Sequence, residues 1–204
     1  MSGRRPLQNR VDPFGALVAT PERGMLLGNR GGRFHRDDRT LGRRRWASRQ
    51  WIACLLEYKG RRRAVWGAGY TELFFCDEIT ALAAGHRPCF ECRRNSAEAF
   101  RALFSAGAGL SAPEMDARLH AERLDAAGKR FWEGSFDRLP DGAVVALEAS
   151  AYAVRGDALL PWSFSGYGAP RKRPRVGAAQ VATPRSIVRV LEAGYRPRWA
   201  AMAA

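Results

Sequence analysis

No stretch of the 204 residues approaches the roughly 20 consecutive apolar side chains that a membrane-crossing helix needs. The opening Met1-Ser-Gly-Arg-Arg-Pro lacks the continuous apolar segment of a secretory signal, so a cytoplasmic protein is expected. Neither an internal repeat nor a heptad is visible, which argues against a solenoid or a coiled coil. Lysine is scarce as well: Lys59, Lys129 and Lys172 are the only three, and arginine carries nearly all the positive charge. The length suits one ordinary domain or two small ones, and a 46% hydrophobic share is enough to bury a core.

What the chain does have is an excess of positive charge, 34 basic against 20 acidic side chains, for a net +14. It is uneven. Residues 1–104 carry 20 basic and 10 acidic groups, residues 105–164 carry 6 and 9, and residues 165–204 carry 8 and 1. A genome that favours arginine explains arginine in place of lysine but not this unevenness. Self-repulsion of such a surface is relieved by a polyanion, most simply nucleic acid.

The first fifty residues, with Gly24, Gly28, Gly31 and Gly32 around Asn29-Arg30, read as loop with short strands. Trp51–Tyr58 is apolar and aromatic and is expected to pair with 61–66 as a hairpin turning at Gly60. In that strand Cys54 shares a face with Ile52, Leu56 and Tyr58. A short strand at 71–75 leads to Asp77, which caps a helix stopped by Gly85. Ser96 is the expected cap of a second helix, and Ser111-Ala-Pro-Glu114 has the capping-box form and opens a third through about Ala127. The runs 143–147, 151–154 and 158–162 suggest a small meander, and Thr183-Pro184 a last helix ending at Gly194. The expected fold is α+β: a small zinc-module region over 1–105 with short strands and helices, then, over 110–204, a helix, a small β-meander and a basic C-terminal helix.

Cys89-Phe-Glu-Cys92 is a C-x-x-C pair, a spacing that lets two thiolates reach one zinc ion from a tight turn. A redox dithiol would want a helix starting at the first cysteine, whereas here a helix is expected to end just before it. Reducing conditions argue against a structural disulfide. Cys54 and Cys76 are the remaining thiols that can complete a site, and His86 is a further candidate ligand.

Phe74-Phe-Cys-Asp-Glu-Ile-Thr-Ala-Leu-Ala-Ala-Gly-His-Arg-Pro-Cys-Phe-Glu-Cys-Arg-Arg94 resembles the end of the zinc-binding domain of Ada-type DNA-repair proteins. There a strand runs into a helix ending Ala-Ala-Gly, followed by Arg-Pro, a C-x-x-C pair and basic residues. The resemblance covers about a tenth of the chain without a gap, and implies a zinc module that sits on DNA, with Cys89 and Cys92 as two of four thiolate ligands. The family's upstream C-x-x-x-C pair, which holds the methyl acceptor, is absent. Cys54 is the only cysteine at a comparable distance, and Cys76 falls where the family has no ligand. Direct methyl transfer is therefore not expected, and the resemblance implies a zinc module reused outside the full-length Ada architecture.

Basic clusters lie at Arg43-Arg44-Arg45, Arg61-Arg62-Arg63, Arg93-Arg94 and Arg171-Lys172-Arg173 with Arg175. Arginine suits bidentate phosphate contacts, and Trp46, Trp162 and Trp199 near these clusters can stack on bases, while Trp51 and Trp66 are expected in the core. His35 with Asp37 and Asp38 suggests a nuclease-like corner, though without any recognised metal-nuclease spacing. His120 and Arg123 share a helix face, from which Glu122 points away. The leading expectation is a zinc-containing protein that binds nucleic acid, which the Ada-type likeness implies to be DNA. A metal-dependent enzyme on nucleic acid, nuclease or repair transferase, is the first alternative, and a protein-interaction module the second.

Overall fold

The computed structural model describes residues 5–60 and 64–203. The first sheet is built from β1 (Gln8–Val11), β2 (Leu17–Ala19), β3 (Leu26–Arg30), β4 (Trp51–Leu55), β5 (Leu73–Phe75) and, beyond helix α1 (Glu78–Ala83), the two-residue β6 (Arg87–Pro88). Its order is β2-β1-β5-β3-β4-β6, with β1–β5 and β4–β6 parallel and the other pairs antiparallel. Helices α2 (Arg94–Ser105) and α3 (Ala112–Arg123) follow, then a β7 (Leu124–Asp125) and β8 (Gly128–Lys129) ribbon. The second sheet comprises β9 (Trp132–Ser135), β10 (Val144–Leu147), β11 (Ser150–Arg155), β12 (Ala158–Ser163), β13 (Gly166–Tyr167), β14 (Arg171–Lys172) and β15 (Ala178–Val181), ahead of α4 (Arg185–Glu192). The meander is there as β10-β11-β12, and β15, β9, β13 and β14 widen it to seven strands. The protein is thus mixed α/β with more sheet than short strands imply.

Within the glycine-rich stretch at 24–32, residues Leu26–Arg30 form β3, all five buried between β5 and β4, while Gly24, Gly31 and Gly32 lie outside it. Gly28 is there because a Cβ would lie 2.2 Å from the Ile52 carbonyl oxygen and 2.7 Å from the Phe75 ring. The breaker residue serves close packing. Two local expectations are corrected. Helix α2 begins at Arg94 without a side-chain cap, two residues before Ser96. The Thr183 hydroxyl does not cap α4 but accepts the Val144 N–H at 2.8 Å. A carboxylate from another helix replaces it, since Glu122 accepts both the Ser186 N–H (2.8 Å) and its hydroxyl (2.6 Å). β4 pairs with β3 and β6, and Arg61, Arg62 and Arg63 of the expected hairpin lie outside the described residues.

Helix α1 is buried on every side, which explains its alanines. Ala81 and Ala84 pack with Val11, Leu26 and Phe75 of the first sheet, and Ile79 and Ala83 with Val144, Ala153 and Leu160 of the second. Leu82 joins Phe100, Met115, Leu119 and Ile187 from α2, α3 and α4. Asp77 caps it as expected, accepting the Thr80 N–H at 2.8 Å. The other oxygen of Asp77 accepts the Tyr167 hydroxyl and the Ala200 N–H, and Glu78 accepts the Tyr195 hydroxyl and the Arg198 N–H. These buried bonds fasten the 195–200 segment to α1. Among the described residues no helix is long and apolar enough to cross a membrane.

Candidate metal centre and arginine cavity

Cys54 lies in β4, and β6 runs parallel beside it with Pro88 opposite Ala53. The Cys89 N–H continues that pairing, donating to the Ala53 carbonyl at 3.0 Å, which sets Cys89 beside Cys54. A turn then closes from Cys89 to Arg93, whose N–H donates to the Cys89 carbonyl at 3.0 Å, and returns Cys92 to the same place. Cys92 Sγ accepts the Leu55 N–H and Cys89 Sγ the Glu91 N–H, each at 3.4 Å. The sulfurs of Cys54, Cys89 and Cys92 all fall within 4.8 Å of one another, and all three residues are buried. In a tetrahedral zinc site with bonds of about 2.3 Å, sulfurs stand roughly 3.8 Å apart, so the trio needs only slight closure to hold such an ion. The Cys89 thiol is driven strongly down because the Cys54 and Cys92 thiols donate to it, and that of Cys54 is driven up for the converse reason.

The two other candidate ligands stand elsewhere. The chain leaves β5 at Phe75 and turns into the Asp77 cap, which carries Cys76 away from β4; burial, reinforced by Asp77, pushes that thiol up to about 12. His86 is fully buried, its ring 4.9 Å from Trp51 and 4.7 Å from Phe75, with Nε2 accepting from Arg30 Nε at 3.3 Å. Burial and the neighbouring Arg30 and Arg123 hold it well below the ordinary histidine range.

The second assembly is built on Trp51. The guanidinium carbons of Arg30 and Arg123 each sit 3.9 Å from the centre of its ring system. Both arginines are buried, and neither takes part in any ion pair recorded among the described residues. Backbone carbonyls receive them instead: Arg30 donates to Gly15 and Arg45, Arg123 to Gly85 and Arg49. The Arg30 carbonyl in turn accepts the Ala47 and Ser48 N–H groups. The segment 45–49 is thereby pinned to two buried cations. Gly85 admits this, for with φ at +86° a Cβ there would meet the Arg123 side chain at 2.6 Å. On that anchored segment Arg43, Arg44, Arg45, Trp46 and Ala47 line a cavity of about 340 Å³, with Trp46 38% exposed.

The remaining sequence candidates are dispersed. Arg93 is buried and paired with Glu78 at 2.6 Å, so its charge faces the interior; Arg94 is exposed beside Glu98. Arg171 and Lys172 are exposed on β14, and Arg173 donates to the Phe136 and Leu139 carbonyls. Arg173 and Arg175 line a cavity of about 310 Å³ with Asp137 and Asp157. His35 is buried against Thr71 (2.8 Å) and stacked on Trp66 at 5.1 Å, whereas Asp37 pairs with Arg33 and Asp38 bonds Thr40, so the nuclease-like corner does not converge. His120 contacts Arg123 at 2.9 Å and Trp46 at 5.7 Å. No protein-family model, curated protein or solved structure matches the chain.

Proposed function

We propose that the protein binds nucleic acid through the Arg43–Trp46 cavity and holds a zinc ion on Cys54, Cys89 and Cys92. The observation that carries the first part is the cavity itself. It joins three arginines to a partly exposed tryptophan on a segment anchored by Arg30 and Arg123, cations whose field adds to the surface charge. Guanidinium groups meet phosphates as bidentate donors, and an indole face accepts a base of any sequence. For the metal, three buried sulfurs within 4.8 Å form a soft donor set that suits zinc. The Ada-type likeness of residues 74–94 favours DNA as the polymer and repair or processing as the context.

A salt titration of binding tests the reading. Each phosphate neutralised on duplex DNA contributes about −0.9 to the slope of log affinity against log salt, so replacing Arg43, Arg44 and Arg45 by Ala flattens that slope by up to about 2.7. Trp46→Ala weakens single-strand binding by about 1–3 kcal/mol with the slope retained, because stacking is uncharged. Binding that ignores salt, or that survives both variants unchanged, refutes the cavity as the interface and leaves the charge to a protein-interaction role.

A further inference from the structure

Structural zinc sites are closed by four protein ligands, whereas sites that take an outside ligand keep one position for it. The trio of Cys54, Cys89 and Cys92 is not joined by a fourth His, Cys, Asp or Glu donor among the described residues. Cys76 and His86, the sequence candidates for that place, are directed elsewhere, as described above. Nor is the trio sealed by packing. Cys54 and Cys89 line a cavity of about 450 Å³ together with Asn29, Tyr70, Glu72 and Glu91. Space of that size holds water and a small molecule besides.

We propose that the Cys54–Cys89–Cys92 centre holds its metal with the fourth position open to this cavity and takes there a small uncharged donor, water at rest and a neutral ring nitrogen in exchange. The inference rests on the metal reading given above. Charge selects the ligand. Three thiolates outweigh a divalent ion by one negative charge, Glu72 adds a carboxylate to this cavity, and none of its described lining residues is basic. An anion entering there meets repulsion in a confined space, while water or an imidazole-type nitrogen does not. A second cavity, also of about 450 Å³, reaches Cys92 beside Arg198, Glu91 and the ion-paired Arg93 and Arg94. Two sulfurs line the Glu72 cavity and one lines the second, which assigns the open position to the Glu72 side.

The test is visible spectroscopy of the whole protein loaded with cobalt(II), whose d–d bands report the donor set. Imidazole is expected to shift these bands saturably at one equivalent of metal, and azide over the same range to leave them in place. Glu72→Gln, which keeps the shape and removes one charge, is expected to strengthen the azide response several-fold with the imidazole response retained. Absence of tetrahedral thiolate–cobalt bands refutes the metal reading itself, and this inference with it. Bands that form but ignore imidazole show a closed centre and overturn the inference alone. A response to azide stronger than that to imidazole places the open position on the arginine side and overturns the assignment of ligand class.

Discussion

The most consequential single residues are those whose charge sits where water cannot reach. Folding places His86 between Trp51 and Phe75 and against Arg30, and keeps its ring neutral. The folded pKa lies well below the unfolded value of 6.5, so below about pH 6.5 the unfolded chain binds a proton that the folded chain refuses. Stability therefore falls as pH drops through that window, by up to about 1.4 kcal/mol per unit for this one group. His35 and His120 are also lowered, by burial first, and add to the same slope. Asp77 acts in the opposite sense, because burial raises its carboxyl and acid favours its folded form. Urea midpoints of wild type and His86→Phe between pH 7.5 and 5.5 isolate the single contribution: the variant is expected to lose part of the acid slope and keep the rest. Identical slopes would mean that His86 carries its proton in the fold. Arg30 and Arg123 belong to the same environment, and nothing in the sequence announced them. Arg30 sits among glycines, and Arg123 is the last residue of α3, whose Asp116 is likewise buried, against Arg87. Cation–ring stacking on Trp51 is a contact between chain positions 21 and 72 residues away from it, with no periodic signature.

At the scale of elements, legibility followed the range of the interaction. Asp77 before α1 and the Ser111–Glu114 capping box before α3 are contacts over three residues, and both are in place where the sequence puts them. β10, β11 and β12 are short apolar runs joined by local turns, and they too stand as expected. The cap of α4 departs from expectation because the deciding partner is distant. Thr183 has the right type and position for a cap, but the Val144 N–H competes for its hydroxyl and secures the turn between β15 and α4 to β10. The vacant role falls to Glu122, 64 residues upstream. A carboxylate that accepts two donors at a helix N-terminus contributes there through hydrogen bonds and through the helix dipole. Glu122→Ala is therefore expected to destabilise the protein by about 1–3 kcal/mol, measured by chemical denaturation, and to unlock α4 from α3. A change within about 0.5 kcal/mol would show that the dipole and water suffice to cap α4. The same logic explains why the sequence does not locate β3 within its loop-and-short-strand stretch. Glycine lowers strand propensity, and only the approach of Ile52 and Phe75 from neighbouring strands makes Gly28 a requirement.

At the scale of the molecule, the three cysteines come from two distant stretches that only the first sheet unites. The C-x-x-C pair and the candidacy of Cys54 were legible from spacing; the exclusion of Cys76 was not, since it depends on where β5 ends and α1 begins. A metal on this trio ties the centre of β4 to the β6–α2 junction. Through α2, which packs with α4 and, by way of Leu82, with α1, the tie reaches the core shared by both sheets. Binding to the folded form alone stabilises it by mass action, about 4.1 kcal/mol when free metal is a thousandfold above its dissociation constant. One equivalent of zinc per chain is expected in protein purified without chelator. Cys54→Ser and Cys89→Ser are expected to lose the metal and to unfold at markedly lower temperature. Cys76→Ser, which removes a packed thiol outside the trio, is expected to retain a full equivalent and to lose stability only through packing. Chelation of the wild type should lower the unfolding temperature towards that of Cys89→Ser, and added zinc should restore it only where all three thiols remain. Equal metal content in Cys89→Ser and wild type would deny the trio its ion. Loss of metal from Cys76→Ser in a folded protein would instead return Cys76 to the ligand set and require the turn at the end of β5 to rearrange around it.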